Sequence, residues 1–393
     1  MNRNTSRAVR ATAALAIFIS GLVAVSAARG TITHGEFSIF EQNWTLTGQP
    51  RALKGAPGIY EWRFATKRGP SPFDQIALHR VAAGPRPPGN PVAVVLFLPG
   101  TYMNGEIGVD DPRYNLMVYL ATKGIDTWAL DYRTHFIPPA MPEKDLSELK
   151  GWTDELFGSD IDATAAFVSA TTHREKLFVS GFSRGVEFGY VYAARHPERV
   201  AGLVMLDGFL SDQPPAPGSP KGYAEDVGGQ HLTFDKRKVL IQMVIANPDG
   251  PAPIPKYKTA RENLEHVLYD SAKFGGNGGL ANPLGGFSDG PTLARVLLQD
   301  DRWWPSIQSY ESVPTREQML SLAGSKVPVI AFASTNLGAA WAGRVQRTAL
   351  STGSSDVTFT ALQGWGHLDV LCGTEAESKV YAPSAAWIRR HAK

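Results

Sequence analysis

Residues 176–197 read KLFVSGFSRGVEFGYVYAARHP, and this stretch decides the fold. Residues 176–180 make a short, mostly apolar run, the pattern of a strand buried on both faces of a parallel sheet. Residues 184–196 read as a helix that Pro197 closes. Between them stands Gly181-Phe182-Ser183-Arg184-Gly185, a G-x-S-x-G motif. The motif alone is common by chance, but a strand before it and a helix after it are the context it requires. Its glycines permit a tight strand-to-helix turn with strained dihedrals at the serine. Such a turn lifts Ser183 Oγ above the C-terminal edge of the sheet and aims the Arg184 N–H toward a substrate, near a helix N-terminus. A nucleotide-binding turn would need G-x-G-x-x-G or a phosphate loop with lysine, and neither is present.

Outward from this turn the same texture repeats. Upstream, residues 92–98 (VAVVLFL) and 126–130 predict buried strands, with a short helix over 114–123 between them. Residues 160–172 predict a helix that Ser159 or Asp160 could cap. Downstream, 200–206 is a further buried strand. This alternation predicts right-handed βαβ units in a parallel sheet. Two earlier runs, 60–65 and 75–81, alternate polar and apolar residues as half-buried antiparallel strands do. The pattern stops after 208 and resumes with strands over 327–333 and 357–361 and a last helix over 383–391. The interruption, 209–326, is too long for a loop and reads as an inserted helical cap, with helices over 261–270 and 291–298. Glycines at 275–279 and at 285–286 suit hinges in such a cap. The chain thus divides into 28–208 and 327–393 as two parts of one core and 209–326 as the insertion.

The totals agree with an exported protein. Residues 1–27 carry Arg3, Arg7 and Arg10, then an apolar stretch, then small residues, the form of a cleaved signal peptide. That implies a secreted or periplasmic protein. Without those three arginines, 36 bases face 37 acids, and no basic stripe is visible, which argues against nucleic acid as a partner. Cys372 is the only cysteine, so neither an internal disulfide nor a cysteine-based zinc site can form.

In its order of elements, its turn at Ser183 and its late Gly366-His367-Leu368-Asp369, the chain resembles the α/β-hydrolase superfamily over about residues 60–390, the insertion apart. The resemblance implies an α/β-hydrolase fold: a mostly parallel eight-stranded sheet, flanking helices and an inserted cap. It implies Ser183 as nucleophile and His367, in the loop after the last strand, as its base. His34, His173 and His391 read as surface histidines, and His196 as a helix-end residue. The triad acid should lie between serine and histidine in chain order. The strand over 327–333 runs into Ser334-Thr335-Asn336, which has no acid. Some members carry the acid one strand earlier, where this chain has Leu206-Asp207-Gly208, so Asp207 is the expected acid and Asp369 the alternative. The resemblance places one oxyanion donor on Arg184 N–H and the other on Thr101 N–H, with Tyr102 as runner-up. Many members have histidine before this glycine, where this chain has Pro99.

His135 follows a strand end, where it could line the pocket or be structural. Trp303 and Trp304, with Tyr310, could form an apolar lid over an acyl chain or be the cap's own core. The expected reaction is hydrolysis of a lipid or other hydrophobic carboxylic ester through an acyl-enzyme, needing no cofactor and no metal. A lipid or membrane surface is a compatible partner. A serine peptidase or amidase of the same fold, or a non-catalytic binding protein, are the rival readings.

Overall fold

The computed structural model describes residues 44–86, 91–211, 224–225, 233–269, 287–305 and 316–392. The expected signal segment 1–27, the glycines at 275–279 and 285–286, and Tyr310 lie outside these residues.

Two short strands, β1 (Thr45–Leu46) and β2 (Arg51–Ala52), both pair antiparallel with β3 (Ile59–Lys67). β3 pairs along its whole length with β4 (Gln75–Ala83), from Ile59 opposite Ala83 to Lys67 opposite Gln75. β5 (Val94–Leu98), β6 (Asp126–Asp131), β7 (Leu177–Phe182) and β8 (Val200–Leu206) follow. A two-residue pair, β9 (Ala224–Glu225) with β10 (Trp303–Trp304), stands apart. β11 (Val329–Ser334) and β12 (Val357–Leu362) complete the main sheet. Its order is β1-β3-β4-β6-β5-β7-β8-β11-β12, with β2 on β3. From β6 to β12 every pairing is parallel; β4 joins β6 antiparallel. The eight expected strands are β3 to β8, β11 and β12, and two short strands are added at one edge.

β5 to β8 and β11 read as apolar runs because helices cover both faces, and almost every residue in them is buried. β4 departs from the half-buried expectation: His79 and Arg80 are as buried as their apolar neighbours. Charged partners from adjacent strands make this tolerable, Asp131 and Glu61 for His79 and Asp126 for Arg80.

The helices follow the sequence with one clear correction. α1 (Leu116–Thr122) starts at Asn115, whose side chain accepts from the Met117 and Val118 amides. α2 (Asp154–Thr172) begins six residues before the expected start. Its cap is Thr153, which accepts from Leu156 N–H, and Asp154 and Glu155 in the first turn suit the helix dipole. The expected caps, Ser159 or Asp160, instead lie inside the helix, and Asp160 is buried and paired with Arg133 and Arg68. α3 (Arg184–Arg195) leaves the motif directly. Among the described residues of 209–326 the helices are α4 (Phe234–Ala246), α5 (Ala260–Tyr269), α6 (Gly290–Leu297) and α7 (Arg316–Ser325). α4, α5 and α6 share an apolar cluster that includes Leu240, Ile241, Leu264 and Leu293, and buried Cys372 joins it. α8 (Ala339–Leu350) follows β11; α9 (Asp369–Cys372) and α10 (Ala382–His391) end the chain. Among the described residues no helix is long and apolar enough to cross a membrane.

The topology fixes where a site can form. After β5 the chain moves to β6 on one side; after β7 it moves to β8 on the other. The loops leaving the C-terminal ends of β5 and β7 therefore diverge and open a crevice, the place where parallel sheets of this kind bind ligands.

Candidate active site

Ser183 stands on that crevice at φ 53 and ψ −117, a conformation that L-residues rarely adopt. Backbone contacts impose it. A Cβ at Gly181 would lie 2.3 Å from Gly185 O, and one at Gly185 would lie 1.9 Å from Leu98 O. The two glycines of the motif are thus required by the approach of the chain to itself and to β5. Ser183 N–H donates to Leu206 O at 3.0 Å, and Ser183 O accepts from Val186 N–H at 3.0 Å, so the strained residue is tied at both ends. Gly208 is a third requirement, since a Cβ there would lie 2.3 Å from Ser183 O.

Asp207 lies at the end of the neighbouring strand and is fully buried. It also has positive φ, 53°. Its N–H continues the ladder, donating to Phe332 O. Its carboxylate gathers four donors: Ser334 N–H at 2.7 Å and Trp341 Nε1–H at 2.8 Å on Oδ1, Ser334 Oγ–H at 2.7 Å and His367 Nδ1 at 2.7 Å on Oδ2. A carboxylate can only accept, so Nδ1 carries the proton in this bond, which fixes the imidazole tautomer. The strand end without an acid, at Ser334, thus supplies the donors that hold an acid from the strand beside it. The sequence reading passed over Ser334 and Trp341; the signal was a hydroxyl and an indole near the position where an acid was sought.

His367 is held close to the elbow. Its ring lies over Phe182, the residue before Ser183, with centroids 4.5 Å apart and planes 30° apart, and edge-on to Trp341 at 5.6 Å. The turn before it is fastened to the end of β11: Asn336 N–H donates to Trp365 O, and Gly364 N–H donates to Thr335 Oγ1. Gly364, at φ 78, supplies the left-handed residue of this turn. Asp369, the alternative acid, points elsewhere. It accepts from Gly366 N–H at 2.7 Å and from Ser288 Oγ–H at 2.6 Å, and so shapes the histidine loop from behind.

The loop after β5 closes the other side of Ser183. A Cβ at Gly100 would lie 3.1 Å from Ser183 Cβ, so Pro99-Gly100-Thr101 passes directly over the serine. Met103 N–H donates to Gly100 O, making a turn in which Tyr102 has φ 66. Tyr132 Oη–H donates to Pro99 O from below. The Arg184 side chain is drawn away by Asp154 and Glu187, leaving its backbone at the helix start as the part beside the serine.

Trp303, Trp304 and His135, each open to a pocket-lining or a structural reading, are held as follows. Trp303 and Trp304 are 1% and 3% exposed, so they do not form an open apolar lid. Trp304 packs among Tyr102, Tyr132 and Phe157, and Arg302 stacks on Trp303. Indoles gain more from burial against other rings than from exposure to water. His135 belongs to a buried charge network. Its Nδ1 lies 3.0 Å from Asp301 Oδ1; its Nε2 lies 3.7 Å from Glu106 and 3.9 Å from Asp131. Burial acts to lower its pKa, but the bond to Asp301 and the charges of Asp131, Asp301 and Glu106 outweigh it and raise it to about 9. His79 is likewise opposed by burial, yet raised to about 10 by Asp131 and Glu61. Among the described residues no group of acids, histidines and cysteine is arranged to hold a metal.

No protein-family model matches the sequence, and no curated protein matches it. Among solved structures, a provisionally named lipase from Sulfolobus solfataricus is similar at 27% identity and TM-score 0.69, covering 88% of this chain and 99% of its own. A thermophilic esterase from Thermogutta terrifontis gives 13% identity and TM-score 0.47, covering 89% and 100%. A monoacylglycerol lipase from Paleococcus ferrophilus gives 17% and 0.44, covering 77% and 96%. With the sheet order, the serine turn after β7 and the likeness to the Sulfolobus protein together, the chain is a member of the α/β-hydrolase superfamily.

Proposed function

We propose that the protein is a serine hydrolase of carboxylic esters. The observation that carries this reading is the strained Ser183 beside a buried His367 whose Nδ1 is bound to Asp207 at 2.7 Å. A serine hydroxyl is a weak nucleophile until a base takes its proton during attack. With Nδ1 protonated and held by Asp207, His367 can accept that proton at Nε2, and Asp207 stabilises the imidazolium that results. Ser183 Oγ then bonds to the ester carbonyl carbon. The Arg184 N–H and an amide of Thr101, or of Tyr102, receive the developing oxyanion. The tetrahedral intermediate collapses, the imidazolium gives its proton to the leaving alcohol, and an acyl-enzyme remains. Water, deprotonated by His367, repeats the sequence and releases the acid.

The lipase name of the Sulfolobus protein favours an ester as substrate, and hydrophobic esters first. The test is turnover of p-nitrophenyl esters from acetyl to palmitoyl by the wild type and by Ser183→Ala. Turnover that falls by about 10⁵-fold or more in the variant is the expected result. Equal turnover by both proteins contradicts the reading, and turnover of amides alone would move it to an amidase.

A further inference from the structure

The loop over Ser183 is tied to residues 299–304, with Asp301 at the centre of the contacts. Asp301 is buried and belongs to the segment between α6 and β10. Its N–H donates to Tyr102 O at 2.7 Å. Its carboxylate accepts from Asn104 Nδ2–H at 3.0 Å and from Thr134 Oγ1–H at 3.3 Å, and meets His135 Nδ1 at 3.0 Å. Asn104 Nδ2–H also reaches Gln299 O, and Asp131 Oδ1 accepts from Gly105 N–H at 2.8 Å. The Tyr102 ring packs edge-on against Trp304, three residues past Asp301. The limb of the turn that follows the Thr101 and Tyr102 amides, residues 102–105, is therefore fastened both to the end of β6 and to the insertion.

That fastening has work to do. Tyr102 at φ 66 is an unfavourable conformation for a residue with a Cβ, and it persists only where neighbours hold it. An amide that stabilises an oxyanion must be in place before charge develops, because reorganising it during the reaction forfeits the gain. Asp301 binds the turn twice, at the Tyr102 carbonyl through its backbone N–H and at Asn104 through its carboxylate.

We infer that Asp301 is a positioning residue, which locks loop 99–106 so that its amides face the Ser183 oxyanion, and that the insertion thereby completes the catalytic site. The inference rests on the proposed serine mechanism. Asp301 touches no reacting atom; it acts through Tyr102 and Asn104.

The test compares wild type, Ser183→Ala, Asp301→Asn, Asn104→Ser and the control Asp235→Asn, with one p-nitrophenyl ester and a thermal melt for each. Asp235 is an exposed neighbour of Arg302 outside the network, and its variant should keep wild-type kcat. Asp301→Asn keeps the side-chain size but removes the charge. It should lower kcat by about 10- to 100-fold, with KM within about threefold, because misplacing an oxyanion donor affects the transition state and not substrate binding. Asn104→Ser should lose kcat in the same manner, and it decides the matter if Asp301→Asn does not fold. A folded variant with wild-type kcat, or a loss confined to KM, overturns the inference. Equal turnover by wild type and Ser183→Ala overturns the serine mechanism and the inference with it, which separates the two failures.

Discussion

Ser183 and Asp207 end adjacent parallel strands, share a φ of 53°, and have a glycine close behind them, yet they are held by opposite means. At Ser183 the constraint is steric: the backbone of residues 98, 185 and 208 comes so close that only glycine fits around it. At Asp207 the constraint is polar: four donors from β11, α8 and the histidine loop fill the carboxylate. A steric constraint is written locally in the chain, as a spaced pair of glycines. A polar one is assembled from residues 127, 134 and 160 positions away. The first should fail as a loss of fold, the second as a loss of activity in a folded protein.

The largest effect that tests this contrast is at the acid. Asp207→Asn keeps the shape of the carboxylate but disturbs the histidine tautomer. It should lower kcat by about 10⁴-fold and leave a cooperative thermal transition. Steady-state kinetics beside a melting curve would show both; a wild-type kcat would move the acid elsewhere. At the elbow, Gly185→Ala places a methyl 1.9 Å from Leu98 O. It should cost about 3 kcal/mol or more of stability, read as a lowered denaturation midpoint. Unchanged stability there would mean that β5 and the elbow can move apart, and that the strain at Ser183 is not imposed by packing. The smallest effect is at the outer donors. Ser334→Ala removes one of Asp207's four hydrogen bonds while the backbone N–H keeps another. A loss of about tenfold in kcat is expected, because a bond to a charged acceptor is worth roughly 1.5–3 kcal/mol. An effect as large as that of Asp207→Asn would give Ser334 a direct part in catalysis.

What the sequence disclosed follows the same division. The G-x-S-x-G turn, the apolar strands and the histidine loop depend on neighbours in the chain, and the structure has them at the expected residues. Asp207 follows only from the resemblance, in which some members carry the acid one strand earlier, because Ser334-Thr335-Asn336 offers none. That those residues serve as donors to Asp207 depends on β8 lying against β11, and no local pattern records that pairing. The same holds for Trp303 and Trp304. A pair of tryptophans reads alike whether exposed or buried, and only the aromatic residues from the ends of β5 and β6 and from α2 decide which. The start of α2 was missed for a simpler reason. Asp160 looks like a cap, but its carboxylate is used by Arg68 and Arg133, and Thr153 has the capping geometry.

Whether Ser183, His367 and Asp207 act as one unit is measured by kcat for Ser183→Ala, His367→Ala, Asp207→Asn and the triple variant with a single ester. Residues of one catalytic unit are strongly non-additive. A triple variant within about threefold of the slowest single variant is expected; losses that multiply across the three positions would show them acting independently and would contradict the proposed triad.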